Sequence, residues 1–262
     1  MLVASLLQPF HFRGKARLLH SLCPQTGTQE ARIFGYRMSL DLENYIERSI
    51  YLHVFEPQES ALVRAYLRPA MTVVDVGANV GYYSLMASSL IGKAGHVYAF
   101  EPSPYAVNKL RQTIQQNRIT NIKVVESALG DEEGMAGIYL SESRENHTPS
   151  MVEREGATAT PISITTLDAF LERHGIQSVD LLKIDIEGFE PNALRGAQAS
   201  LAAGRIAAIL CEFNEHWLTL NHSSSTELFS TLLSFGFRPS GCSYQADATL
   251  QNLLLVNHHT TN

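Results

Sequence analysis

Two hydrophobic periods organise this chain. From Met71 onward, short β-branched apolar runs alternate with stretches whose apolar residues recur at helical spacing. Apolar runs of this length read as strands buried on both faces, and the 3.6-residue spacing reads as helices packed against them. The pattern predicts strands at 72–76, 96–100, 122–126, 179–184 and 206–212, and helices at about 80–91, 104–117, 189–202 and 223–235. Strand and helix in alternation predict parallel βαβ units. The closing stretch "FGFRPSGCSYQADATLQNLLLVN" predicts two strands joined by a polar turn, so the sheet ends in an antiparallel hairpin.

Ahead of Met71 the pattern differs. Residues 31–68 predict a strand or turn at "IFGYRMSLD", then helices through "LENYIERSIYL" and "PQESALVRAYL". This divides the chain into a mainly helical N-terminal cap, 1–68, and a main α/β domain, 69–258. Residues 1–24 set Arg13, Lys15 and Arg17 among Leu6, Leu7, Phe10, Leu18 and Leu19. That basic amphipathic segment either packs on the core or touches a membrane surface. Residues 130–165 are polar and turn-rich and predict an irregular insertion, a lid over a site or a solvated loop.

Composition narrows the class. A chain of 262 residues, 45% hydrophobic and 18% charged, is long enough for one sizeable core with an appendage. Its formal charge of −6 argues against a general nucleic-acid binder, which needs a surplus of lysine and arginine for phosphate. Cys23, Cys211 and Cys242 are far apart and odd in number, which fits a reducing cytoplasm rather than a disulfide framework. The opening "MLVASLL" lacks the positive residues and cleavage site of a secretory signal. No stretch approaches the roughly 20 apolar residues of a spanning helix. The expectation is a soluble, cytoplasmic protein with a small-molecule partner.

Candidate chemistry begins at "TVVDVGANVGYYSL". An apolar strand ends around Asp75, turns through Gly77 and Gly81, and enters a helix whose free N–H groups favour an anionic ligand. A dinucleotide fingerprint would place glycine where this chain has Asn79. A side chain that donates and accepts hydrogen bonds suits a ligand with both a carboxylate and an amine. The second strand ends at Glu101, placed to accept both hydroxyls of a ribose or to serve as a helix N-terminal carboxylate before Pro102. After the third strand, "VVESALG" offers Ser127 and Ala128, small enough to flank an adenine ring or simply to pack in the core.

The blocks "DVGANVGYYSL", "AFEPSP", "SALG", "TTLD" and "LLKIDIEGFEPNALRGA", in this order, resemble the FkbM family of S-adenosylmethionine-dependent methyltransferases. The resemblance spans about residues 35–240. It implies a class I methyltransferase fold, a Rossmann-like seven-stranded sheet in the order 3-2-1-4-5-7-6, and transfer to a hydroxyl oxygen of a sugar or secondary metabolite. It places Asp75, Gly77, Asn79, Gly81, Glu101, Ser127 and Ala128 around S-adenosylmethionine. Two other classes share features of the loop. A nicotinamide-dependent oxidoreductase is opposed by Asn79, and a non-catalytic cofactor-binding protein by the charged cluster described next.

In "DLLKIDIEGFE", strand alternation puts Lys183, Asp185 and Glu187 on one face, opposite Leu182, Ile184 and Ile186. A structural Lys183–Asp185 ion pair is the plain explanation, and a ligand site at the strand's C-terminal end is the functional one. In the implied sheet order the neighbouring strand "IAAILCEF" ends at Glu212, so Asp185 and Glu212 should meet with His216 above them. An attacking hydroxyl must lose its proton, and Asp185 or Glu212, raised in pKa by mutual repulsion, is the expected base. His216 is the substitute, or a surface residue. Asp185, Glu212 and Asn214 are oxygen ligands available to a divalent cation, although a metal-free site is favoured. Lys183 and Glu187 are assigned to the acceptor side, with the aromatics Tyr36, Tyr45, Tyr51 and Trp217. The stretch "YRMSLDLENYIERSIYLHVFE" is expected to wall the acceptor pocket through Arg48 and Tyr51. The alternatives are packing behind the sheet or a homodimer interface.

Overall fold

Residues 14–139 and 159–258 are described by the computed structural model. The described residues open with α1 (Lys15–Leu22), which buries Leu19 and leaves Leu18 and Leu22 exposed. An antiparallel hairpin follows, β1 (Thr28–Ile33) and β2 (Tyr36–Asp41), turning through Phe34 and Gly35, both with positive φ. That two-residue turn matches the right-handed twist of the strands it joins. The "strand or turn" expected here is thus one half of a hairpin. β1 is polar and mostly exposed, so it lacks the alternation that marks a strand. Next come α2 (Tyr45–Tyr51), capped by the Asn44 side chain on Glu47 N, and α3 (Pro57–Tyr66). Among the described residues, the N-terminal segment thus carries a hairpin alongside three helices.

The main sheet is built by β3 (Thr72–Val76), α4 (Tyr82–Ile91), β4 (His96–Phe100), α5 (Pro104–Asn117) and β5 (Ile122–Val125). After a small three-stranded sheet formed by β6 (Ala128–Leu129), β7 (Gly134–Tyr139) and β8 (Ala159–Thr165) come α6 (Leu167–Arg173), β9 (Leu181–Ile184), α7 (Glu190–Arg195), α8 (Gln198–Ala202) and β10 (Ala208–Asn214). The chain closes with α9 (Glu215–Leu220), α10 (Ser225–Ser234), β11 (Phe237–Pro239) and β12 (Leu250–Asn257). The seven-stranded order is β11-β12-β10-β9-β3-β4-β5, with β12 antiparallel to both neighbours. Numbered along the chain within this sheet and read from β5, it is 3-2-1-4-5-7-6, the class I methyltransferase order.

Two expectations change in detail. Residues 134–139 and 159–165 are paired strands rather than irregular chain, and the lid expected between them lies outside the described residues. The single helix expected at 189–202 is two, interrupted at Gly196 and Ala197, where Gly196 lies so close to the backbone of Gly130 that a Cβ there would sit 1.9 Å from the Gly130 oxygen.

Alternation along the central strands sends side chains to opposite layers. Val74, Val76, Leu182, Ile184, Ile209 and Cys211 pack with Phe170, Leu194 and Leu232 on one face. Val73, Leu181 and Leu210 pack with Val63, Tyr83 and Met86 on the other. A third cluster, Ile33, Met38, Leu40 and Ile50 with Val80 and Leu85, seats the hairpin and α2 on α4. Fully buried Glu47 pins α2 to α5 by accepting from Lys109 Nζ at 2.9 Å and from Tyr105 O–H at 2.6 Å. Among the described residues no helix is long and apolar enough to cross a membrane.

Candidate active site

Chain connectivity reverses between β3 and β9: β4 and β5 lie to one side of this pair, β10 to the other. Loops leaving the C-terminal ends of these strands diverge and leave a crevice. The loop after β3 forms its floor. Gly77 N–H and Ala78 N–H both donate to the Phe100 carbonyl at 3.0 Å. Gly77 has φ +77°, and a Cβ there would lie 2.0 Å from the Asp185 backbone oxygen, so the position admits only glycine. Asn79 is left-handed, φ 49°, and its Oδ1 accepts from Val80 N–H at 2.8 Å while its own N–H donates to Glu101 Oε2 at 2.8 Å. Asparagine tolerates this backbone region and closes its own turn, which accounts for the residue in conformational terms. Gly77 and Asn79 line the cavity.

Gly81 and Asp75 lie behind that lining. Gly81 caps α4 with φ +95°, and its missing side chain makes room for Leu110 of α5. Asp75 is 1% exposed, accepts from Ser84 O–H at 2.6 Å and lies 3.8 Å from Lys183 Nζ. It ties α4 and β9 to the floor without lining the cavity.

Glu101 is buried, and each of its oxygens accepts one backbone N–H, Oε1 from Ser103 at 2.9 Å and Oε2 from Asn79 at 2.8 Å. It steadies the start of α5, as a helix N-terminal carboxylate does, and it also lines the cavity. Burial pushes its carboxyl up to about 7, against the pull of the two N–H groups and of Lys183. Each oxygen of a carboxylate accepts two hydrogen bonds, so one site on each remains for a ligand. Beside it, Phe100, Ala128, Leu129 and Ile138 make an apolar wall, with Ser127 O–H turned to the Ser163 carbonyl at 2.9 Å. A vicinal diol next to a flat ring fits this combination.

Across the crevice the charges gather. Lys183 Nζ lies 3.2 Å from Asp185 Oδ2, 3.4 Å from the Gly77 carbonyl and 5.2 Å over the Tyr83 ring. Burial pulls the ammonium down, but Asp185, Asp75 and Glu56 outweigh it and leave its pKa raised. The strand ends at Ile184, so alternation carries only as far as Lys183. Asp185 and Glu187 reach the cavity from the following turn, where Glu187 has φ 54°. Glu212 adjoins them because β10 pairs in parallel with β9, Cys211 opposite Ile184. Its Oε2 is buried with no hydrogen-bond partner among the described residues, and burial first, then Asp185, Glu187 and Glu190, push its carboxyl up to about 10. Glu212 is therefore protonated at neutral pH.

Other expected residues lie elsewhere. His216 is exposed on α9, its ring 5.1 Å from that of Trp217, and neither lines the cavity. Asn214, at the end of β10, is likewise outside it, and the described residues hold no group of three or more His, Cys, Asp or Glu arranged for a metal. Arg48 is buried in the cap, donating to the Leu42 carbonyl at 2.5 Å and to His20 Nδ1 at 3.1 Å. Tyr51 packs on the Ile33–Met38–Leu40 cluster, Tyr36 bonds Ser88 and Tyr45 stacks on His20. The N-terminal segment does border the cavity, through Ile46, Ile50, Phe55 and Glu56. Glu56 accepts from Tyr83 O–H at 2.5 Å. Its only trace in the sequence is a glutamate before Pro57, which reads as the acidic start of a helix.

The family model described as the methyltransferase FkbM domain matches residues 75–239. The 31-O-demethyl-FK506 methyltransferase FkbM of Streptomyces tacrolimicus is 29% identical over 161 residues, 50% of this chain and 61% of its own length. The 2-O-methyltransferase NoeI of Sinorhizobium fredii is 25% identical over 170 residues, 58% of this chain and 66% of its own. The chain spans less than two thirds of either relative. The crystal structure of methyltransferase FkbM from Methylobacillus flagellatus aligns with a TM-score of 0.47 at 17% identity, covering 81% of this chain and 54% of that one.

Proposed function

The chain belongs to the FkbM family of S-adenosylmethionine-dependent methyltransferases, and from that premise we propose that it methylates a hydroxyl oxygen of a small, neutral, hydroxyl-rich molecule such as a sugar or secondary metabolite. The observation that carries the reading is a single cavity joining Glu101, with an accepting site left on each oxygen, to the acidic far side at Asp185 and Glu212. S-adenosylmethionine supplies, when bound, a methyl group on a positively charged sulfur, open to attack by an oxygen. Glu101 accepts the ribose hydroxyls, Ala128 and Leu129 flank the adenine, and the Gly77–Asn79 loop at the start of α4 meets the amino-acid end.

On the acceptor side, Glu212 keeps its proton and donates a hydrogen bond to a substrate oxygen. Asp185, held by Lys183, accepts one. Ile46, Ile50 and Phe55 cover this side and keep water from it. A set of carboxylates around one ammonium repels an anionic acceptor and suits a neutral polyol. Two relatives support transfer to oxygen, since their names specify O-methylation. Calorimetric titration with S-adenosylhomocysteine is the first test, and no heat at millimolar ligand would sink the cofactor assignment. The second test is a mass-spectrometric screen of neutral sugars and hydroxylated metabolites, read as the gain of one methyl in place of a hydroxyl hydrogen. Methylation confined to nitrogen, carbon or anionic acceptors would reject the oxygen reading.

A further inference from the structure

Glu56 reaches the cavity from the N-terminal segment, at the turn between α2 and α3. Its backbone is left-handed, φ 38° and ψ 62°, and it immediately precedes Pro57. Residues with a side chain avoid that region, and a following proline drives them further toward extended backbone. Glycine or asparagine would sit there with less strain, so local conformation gives no reason for a glutamate. Neighbouring contacts hold the turn: Ser60 N–H donates to the Glu56 carbonyl at 3.0 Å, Ser60 Oγ and Tyr82 Oη are 2.9 Å apart, and the Phe55 ring packs edge-on to Tyr82 at 4.9 Å. Strain over-determined by packing in this way collects at functional sites.

Three of the other four carboxylates at the cavity are already committed. Asp185 is in an ion pair with Lys183, Glu101 binds two backbone N–H groups, and Glu212 is protonated. Glu56 accepts one hydrogen bond, from Tyr83 O–H to Oε2, and its Oε1 takes none from the described residues. The Tyr83 ring is in turn held under the Lys183 ammonium. From this geometry we infer that Glu56 is the general base that takes the proton from the acceptor hydroxyl, with Tyr83 as the positioning residue that aims its carboxylate. The inference rests on the oxygen-methylation reading. As the oxygen–carbon bond forms and the sulfur–carbon bond breaks, the hydroxyl proton passes to Glu56. A sulfonium and a carboxylate become a thioether and a carboxylic acid, beside a neutral methyl ether, and the proton leaves to solvent after product release. The surrounding charges suit the task. Burial and the Asp185 and Glu59 carboxylates push Glu56 up, Lys183 and the Tyr83 hydrogen bond pull it down, and the balance falls at about 7. A base is most effective when it titrates near the working pH.

The first arm of the test needs no acceptor. Infrared difference spectra of the S-adenosylhomocysteine complex are titrated for wild type, Glu56→Gln and Tyr83→Phe. The expected result is a carboxylic acid band that ionises near pH 7, is missing in Glu56→Gln and moves to higher pH in Tyr83→Phe, which lacks the hydrogen bond that favours the carboxylate. A Glu56 midpoint near the ordinary glutamate value, about 4.3, overturns the inference. With an acceptor from the screen, Glu56→Gln is expected to lower kcat by about 10²–10⁴-fold and leave S-adenosylhomocysteine affinity intact, with Glu56→Asp recovering part of the rate. Wild-type turnover in Glu56→Gln refutes the base while sparing oxygen methylation. Methyl transfer that bypasses oxygen refutes that reading even if the infrared midpoint stands.

Discussion

Replacing Gly77 with alanine probes the contact on which the cavity floor rests. The new Cβ would lie 2.0 Å from the Asp185 backbone oxygen and 3.1 Å from both its carbonyl carbon and Ile186 Cγ2. Backbone cannot swing aside as the tip of a side chain can, so the loop and the end of β9 must separate by about an ångström or more to restore van der Waals contact. The substitution adds a conformational penalty as well, because φ is +77°, and a left-handed L-residue costs about 1–2 kcal/mol. Overpacking a closed contact costs about 1–3 kcal/mol, so the expected total is about 2–5 kcal/mol. Gly35 supplies the control, with φ +87° and nothing within 4 Å of the would-be Cβ. Gly35→Ala should lose only the conformational part, about 1–2 kcal/mol. Urea unfolding of the two variants isolates the difference, about 1–3 kcal/mol, as the steric term. Calorimetry should also show weaker S-adenosylhomocysteine binding in Gly77→Ala alone, because the shift carries Asp185 and its partner Lys183 with it. Equal destabilisation by the two substitutions, with cofactor affinity unchanged in both, would refute the reasoning.

Glu101→Gln should weaken S-adenosylhomocysteine binding by about 1–3 kcal/mol, by calorimetry, because an amide offers one accepting oxygen where a diol needs two. In the wild type the carboxyl titrates at about 7 and the diol favours its ionised form, so affinity should fall as pH drops through 7; a flat profile, or one that persists in Glu101→Gln, would contradict the contact. Glu56, Glu101 and Glu190 all titrate at about 7 in the fold, above the ordinary glutamate value. Their contribution to stability is fully present below pH of about 4.5 and is lost as pH rises through about 7, so urea midpoints should be higher at pH 5 than at pH 8. Midpoints that rise instead would show that these groups ionise freely. Arg48→Ala should cost about 1–3 kcal/mol of stability by removing the donors to the Leu42 carbonyl and His20, and should leave cofactor affinity and acceptor KM unchanged. An increase in acceptor KM without loss of stability would return Arg48 to the acceptor wall.

Much of the sheet was legible because its signals are local. A run such as "TVVDV" is apolar on both faces wherever it sits, and five such runs separated by helical periods admit few arrangements. The turn at Gly77 and Asn79 was legible for the same reason, since positive φ is a demand on one residue at a time. The polar strand β1 was hidden because pairing with β2, and not its own composition, makes it a strand.

The acceptor side was a different case. Lys183 and Glu212 were identified from strand ends, and the parallel pairing of β9 with β10 brings their neighbourhoods together. His216 followed the same logic but fails to line the cavity, because α9 begins at Glu215 and a helix turns each successive side chain by about 100°, which sends His216 to solvent. Arg48 and Tyr51 were placed on the wall by their segment alone, yet the anchoring of α2 through Glu47 to Lys109 and Tyr105 presents Ile46 and Ile50 instead. The sequence by itself determined which residues want to be strand, helix or glycine turn, because these preferences act over a few neighbouring residues. Tertiary structure alone decided that Glu56 and Tyr83 share one cavity with Lys183 and Asp185, because only packing brings together side chains from three separate segments and only burial there lifts the Glu56 carboxyl above its ordinary range.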